Sequence, residues 1–138
     1  MTFTIGRAAA RAAVSPDTIR YYERVGVLPA APRTEAGYRL YSEEHVARII
    51  FVRNAAAFGF PLKELAGFLK ARQKGHPPCR SVRAAGERLL GGIDREIARL
   101  AAARDEMART LAEWDLRLAR TPAGTPARLL ESLGPDRR

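Results

Sequence analysis

The sequence predicts a mainly α-helical protein in two parts: a small N-terminal unit with a helix-turn-helix shape and a β-ribbon, then one long helix that pairs with a second copy. Three observations point there. Two short helical stripes flank Val14-Ser15-Pro16; an alternating Tyr38-Arg39-Leu40-Tyr41 follows a Glu35-Ala36-Gly37 turn; and from Cys79 to about Ala119 there is no proline while apolar residues recur every seven positions. At 138 residues the chain has room for one compact domain and an extended element, and too few for a second full domain.

Taken in order, Ile5, Ala8, Ala9 and Ala12 form a stripe with helical spacing. Ser15 then supplies a cap, Pro16 suits the first helical position, and Asp17 complements the positive end of the helix dipole. The second helix runs over Pro16 to Arg24 and stops at Gly26, with Pro29 and Pro32 beyond it. Arg33 to Tyr41 reads as a ribbon folded at Gly37. Ser42-Glu43-Glu44 opens a third helix carried by Val46, Ile49, Ile50 and Val52 towards Gly59, and Leu62, Leu65, Phe68 and Leu69 mark a fourth after Pro61. Lys74-Gly75-His76-Pro77-Pro78 breaks helicity, which sets the expected boundaries at 1–75, 76–120 and 121–138.

In the long helix Leu90, Ile97, Leu111 and Leu118 fall at one heptad position, interrupted by Arg104, and Ile93, Leu100, Met107 and Trp114 at the other. Such a narrow seam suits a two-stranded homodimer, and these eight residues are its expected interface; for Trp114, an interface or core position fits better than a ligand pocket. Gly91-Gly92 would cost roughly 1 kcal/mol each inside a helix and marks close contact or a flexible point. Pro126 to Leu133 is expected to form a short helix that folds back.

The net charge is +9, from 24 Lys and Arg against 15 Asp and Glu. The excess is +6 over residues 1–75 and +3 over the rest, and only three of the cations are lysine, a bias that a GC-rich genome produces unaided. Charge thus points to a polyanionic partner without locating it. A single Cys allows no internal disulfide, and no apolar run reaches the ~18 residues of a membrane span, so a cytoplasmic protein without a membrane partner is expected. No Ser/His/Asp grouping, HExxH pair or phosphate-cradling glycine loop appears, and Glu43-Glu44 and Asp105-Glu106 point apart on their helices, so no enzyme is expected. In Thr18-Ile19-Arg20-Tyr21-Tyr22-Glu23-Arg24, helical spacing turns Ile19 and one tyrosine inward and leaves Thr18, Arg20 and the other tyrosine outside, where Arg reads guanine edges or phosphate and Tyr reaches phosphate. Arg33, Tyr38 and Arg39 on the ribbon would clamp the backbone beside the groove.

The runs TIRYYERVGVL and RTEAGYRLYSEEHVARIIFVRNAAAFGFPLKEL, followed by the long helix from Cys79, resemble the MerR family of bacterial transcription regulators over roughly residues 3–120. The resemblance implies a winged helix-turn-helix, a connecting helix pair and a dimer joined by an antiparallel coiled coil. It also implies an effector-dependent activator on double-stranded promoter DNA, which bends and untwists an overlong spacer so that RNA polymerase engages both promoter elements. Carried over by position, Thr18, Arg20 and Tyr21 are contacts of the recognition helix, Tyr38 and Arg39 of the wing, with Arg33 beside them and Arg7 as a further phosphate contact. A helical interaction adaptor or anti-activator that kept the fold and lost promoter control is the alternative.

Cys79 stands where metal-sensing relatives place a thiolate at the start of the dimer helix, yet Leu118 and Ala127 occupy the places of their later cysteines. Three readings stay open for it. It is an ordinary helix-start residue; or a redox or electrophile sensor, since a helix N-terminus beside Arg80 suits a reactive thiol; or a ligand of a soft divalent metal ion completed by His76 or by Cys79 of the partner subunit.

Overall fold

A computed structural model describes residues 1–135. The elements are β1 (Thr2–Phe3), α1 (Ile5–Ala12), α2 (Pro16–Arg24), β2 (Tyr41–Ser42), α3 (Glu43–Phe58), α4 (Leu62–Gln73) and α5 (Cys79–Arg120), followed by a 3-10 turn at Leu130–Leu133. They form two compact units, Met1–Leu90 and a second that begins at Gly91.

In the first unit each helix starts where its cap chemistry dictates. Thr4 accepts from the Arg7 amide at the head of α1, and Ser15 accepts from the Thr18 amide at 3.1 Å with Pro16 in the first turn of α2. Between them Ala13 takes a left-handed conformation, φ 56°, and sends its amide back to Ala10, which closes the helix-turn-helix within three residues. At α3 the Ser42 hydroxyl accepts from the His45 amide while His45 Nδ1 accepts from the Ser42 amide, so this histidine belongs to a capping box.

The stripe of α1 buries Ala8, Ala9 and Ala12, small enough for α3 to approach closely with Val46, Ile49 and Val52. Ile19 and Tyr22 of α2, Val27, Leu28 and Ala31 beyond it, and Leu65 and Leu69 of α4 complete one core. Arginines tie the layers: Arg53 donates to the Ala12 carbonyl at 2.6 Å, Arg48 to the Val27 carbonyl at 3.2 Å, and Arg11 pairs with Glu43 at 3.1 Å. Burial pushes the Tyr22 hydroxyl above its ordinary titration range, against the nearby charge of Arg53.

The strands depart from expectation. Tyr41, expected in the ribbon, pairs with Phe3 in an antiparallel β1–β2 sheet, and both side chains are buried. The ribbon is a hairpin closed by one Arg33–Arg39 bridge, with the Thr34 amide on the Tyr38 carbonyl and the turn taken by Gly37 at φ 88°. A two-residue strand at the extreme N-terminus has no periodicity to read. Its pairing is set by burial of Phe3 and Tyr41.

Helix α5 runs for 42 residues without interruption, through Gly91 and Gly92. Pairs at helical spacing, Arg83–Glu87 and Glu96–Arg99, line its solvated surface and offset two of its cations. In the second unit the chain folds back as expected, with a shorter helical piece than Pro126 to Leu133: Arg128 has φ 57° and only Leu130–Leu133 is helical. The Trp114 indole N–H donates to the Ser132 hydroxyl at 2.9 Å, and Arg117 donates to the Arg128 carbonyl at 3.4 Å. The end of the expected 121–138 segment, residues 136–138, lies outside the described residues.

Candidate nucleic-acid interface

Helix α2 and the hairpin of residues 33–39, here called the wing, enclose an open concavity of about 680 Å³. It collects Arg20 and Arg24 from α2 and Arg33, Tyr38 and Arg39 from the wing, with Glu23 as the acid among four guanidinium groups. The inward residues of α2 are Ile19 and Tyr22, so Tyr21 is the outward tyrosine, 46% exposed. Arg24 lies 5.5 Å over the Tyr21 ring. It had no place among the sequence candidates, although a position four residues after Arg20 shares its helix face.

The other candidates take distinct positions. Arg20 is exposed and pairs with Asp17 at 2.8 Å, a surface contact worth about 0–1 kcal/mol. Thr18 exchanges a 2.9 Å hydrogen bond with Ser15 at the helix cap. Tyr38 is 72% exposed, at the wing tip. Arg33 donates to the Gly37 carbonyl at 3.0 Å and so braces the hairpin turn. Arg7 lies on α1 with its guanidinium 5.8 Å from the Phe3 ring centroid. Arg39 is the most committed: it pairs with Glu23, whose side chain is only 8% exposed and also accepts from the Tyr41 hydroxyl at 2.6 Å. The Tyr41 hydroxyl and then the Glu23 carboxylate hold the Arg39 guanidinium in its charged form above the ordinary range; burial, reinforced by the bond to Glu23, raises Tyr41.

Along α5 the heptad residues stay open in the single chain. Leu90, Ile93, Ile97, Leu100, Met107, Leu111 and Leu118 are each between 51% and 67% exposed, and Trp114 is half-buried beneath the returning C-terminal segment. A row of this length on one helix face exceeds the scattered apolar exposure of an ordinary monomer surface.

Family profiles described as MerR HTH family regulatory protein and as MerR, DNA binding match residues 3–72 and 46–110. The chain belongs to the MerR family. A mercuric resistance operon regulatory protein of Bacillus cereus is 40% identical over 82 residues, 59% of this chain and 62% of that protein, so the match spans less than two thirds of that relative. The HTH-type transcriptional regulator ZntR of Escherichia coli is 36% identical over 99 residues, 71% of this chain and 70% of ZntR. Among solved structures, the transcription regulator PbrR691 of Ralstonia metallidurans, in complex with lead(II), aligns with 28% identity and a TM-score of 0.58 over 96% of this chain and 99% of that one. As a MerR-type protein, the chain is a DNA-binding transcriptional regulator, and its mainly helical fold with an N-terminal DNA-binding domain and a long helix is that of the family.

Cys79 is exposed at the first residue of α5 and His76 is exposed three residues earlier, with its amide on the Ala71 carbonyl. Beside Cys79, Phe51, Phe60, Leu65, Phe68 and Val82 line an almost wholly apolar recess of about 440 Å³. Among the described residues no three His, Cys, Asp or Glu side chains converge on a metal position. Among the described residues Cys79 and His76 supply two donors, fewer than the four-ligand shell of a structural zinc site. No helix among the described residues is long and apolar enough to cross a membrane.

Proposed function

We propose that this MerR-family protein is a homodimeric, effector-dependent activator that grips double-stranded promoter DNA with α2 and the wing and distorts it for RNA polymerase. In this reading residues 1–75 bind DNA, 76–120 dimerise and 121–138 form a short tail at the effector region. The observation that carries it is the arginine-rich concavity between α2 and the wing, which collects Arg20, Arg33, Tyr38 and Arg39 on one side of the first unit. Thr18 and Tyr21 lie on the same helix, and Arg7 adds a phosphate contact from α1. Bending a promoter costs several kcal/mol, so the effector must favour one of two dimer arrangements by a comparable amount.

Arg20 is the sharpest test. Its pair with Asp17 is worth less than a guanine contact, so releasing it to a base is favourable. Arg20→Ala should weaken binding to the chain's own upstream region by about 1–3 kcal/mol in a gel shift, with much less effect on random DNA. Equal affinity of wild type and variant would remove Arg20 from the interface. A wild-type chain that shows no preference over random DNA at any salt would favour the adaptor reading.

We further propose that Cys79 receives the effector, either an electrophile or a soft metal ion whose further donors are His76 or Cys79 of the partner subunit. The exposed thiol at the helix start and the likeness to a mercuric resistance regulator and a lead-bound regulator support this. Native mass spectrometry after titration with mercury, zinc, cadmium and copper, beside thiol-alkylation rates, should give uptake or fast alkylation that Cys79→Ser abolishes. Neither uptake nor enhanced alkylation would leave Cys79 an ordinary helix residue.

A further inference from the structure

We infer that Glu23 is the residue that positions the wing against the recognition helix, and that operator specificity depends on it although it carries the wrong charge for DNA. The inference rests on α2 and the wing being the DNA face. Two electrostatic facts count against an acid at this place. It sits in the last turn of α2, where the helix dipole favours a cation, and it lines a concavity whose other charged groups are Arg20, Arg24, Arg33 and Arg39. A carboxylate there repels phosphate, and its removal by charge alone would tighten binding to any DNA.

The geometry gives it a different task. The Glu23 side chain is 8% exposed, and its two oxygens are divided: Oε2 accepts from Arg39 Nη1 and Oε1 from the Tyr41 hydroxyl at 2.6 Å. Arg39 is the residue whose bridge to Arg33 closes the hairpin, and Tyr41 is the wholly buried residue of β2 that pairs with Phe3. One carboxylate thus holds both the returning strand of the wing and the strand that leads into α3. The wing's own closure is a single bridge with a few turn hydrogen bonds, and Tyr38 at its tip is exposed. Reading a base edge from α2 and a phosphate from the wing at once requires a constant spacing between Arg20 and Tyr38, and Glu23 is the group that sets it.

The sign of the effect separates this role from a simple charge effect. Glu23→Gln keeps an acceptor for Tyr41 and removes the charge. It should lower operator affinity about tenfold while affinity for random DNA stays or rises, so that the specificity ratio falls by about tenfold or more. Thermal melting and analytical ultracentrifugation of the same samples report folding and dimerisation. Because an unpaired Arg39 beside a partly buried site destabilises some folds, the double variant Glu23→Gln/Arg39→Gln, which leaves no lone charge, is measured alongside. It should show the same loss of specificity, and on an Arg39→Gln background the Glu23 change should add little further loss. Operator affinity of Glu23→Gln that equals or exceeds wild type, or an equal loss on operator and random DNA, overturns the inference. If Arg20→Ala also leaves operator binding unchanged, the DNA face itself is misplaced; if Arg20→Ala weakens it while Glu23→Gln does not, only the role of Glu23 falls.

Discussion

Leu100→Glu is expected to leave the protein monomeric at concentrations where the wild type sediments as a dimer, and to abolish operator binding with it. Leu100 lies in the middle of the exposed heptad row of α5, 52% open in the single chain, with Ile93, Ile97 and Met107 on the same face. In a two-stranded pair both copies of the new carboxylate enter the seam. Each loses its hydration at a cost of several kcal/mol, so the dimer should weaken by far more than a hundredfold. Helix-turn-helix dimers in general address two half-sites, and a monomer that keeps one recognition helix would lose the second set of contacts. The unfolding transition of the first unit should stay in place, because Leu100 lies beyond it. A variant that still sediments as a dimer would show that α5 pairs through another face.

Ile19→Ala is expected to cost the first unit about 2–5 kcal/mol of stability, measured by urea or thermal unfolding. Ile19 is completely buried beneath α2 in the cluster with Ala8, Ala9, Ala12 and Ile49, and the helix it anchors is only nine residues long. A helix of that length gets its stability from packing rather than from its own hydrogen bonds. Its neighbour Arg20 points outward, so Arg20→Ala should change stability by no more than about 0.5 kcal/mol while it weakens DNA binding. The two adjacent substitutions therefore separate folding from recognition. A loss below about 1 kcal/mol for Ile19→Ala would mean that α2 is not held by this core.

Local chemistry made most of the helices legible in advance. Ser15, Pro16 and Gly26 bracket α2 as their backbone preferences require, and Ser42 starts α3. The proline-rich break at 77–78 and the proline-free stretch after it mark α5 to within a residue of its observed end at Arg120. Heptad spacing also marks which face of α5 carries Leu90 to Leu118, and the exposure of that face in one chain follows from the pattern. The features that local chemistry does not encode depend on contacts between residues far apart in sequence. The Phe3–Tyr41 pairing joins residues far apart in the first unit, and Thr2-Phe3 is too short to show alternation. Arg24 stands at the end of its helix, where sequence gives no sign of a contact role, and its position one turn after Arg20 places it in the same concavity.

The sequence by itself determined the order of the helices α1 to α5, the inward and outward faces of α2, the heptad row of α5 and the residue types available for contact with DNA. Those properties are written in periods of a few residues and in cap and turn preferences, which act locally. Only the tertiary structure decided what each outward side chain does. Arg39, which by sequence resembles any wing cation, is paired with a nearly buried Glu23. Tyr41, which by sequence continues the ribbon, closes the core and donates to the same carboxylate. Trp114, one member of a seam, also secures the returning C-terminal segment through Ser132. Such roles arise from pairs separated by 16 to 18 residues, brought within hydrogen-bond reach when the hydrophobic residues beneath them are buried. No local period encodes them.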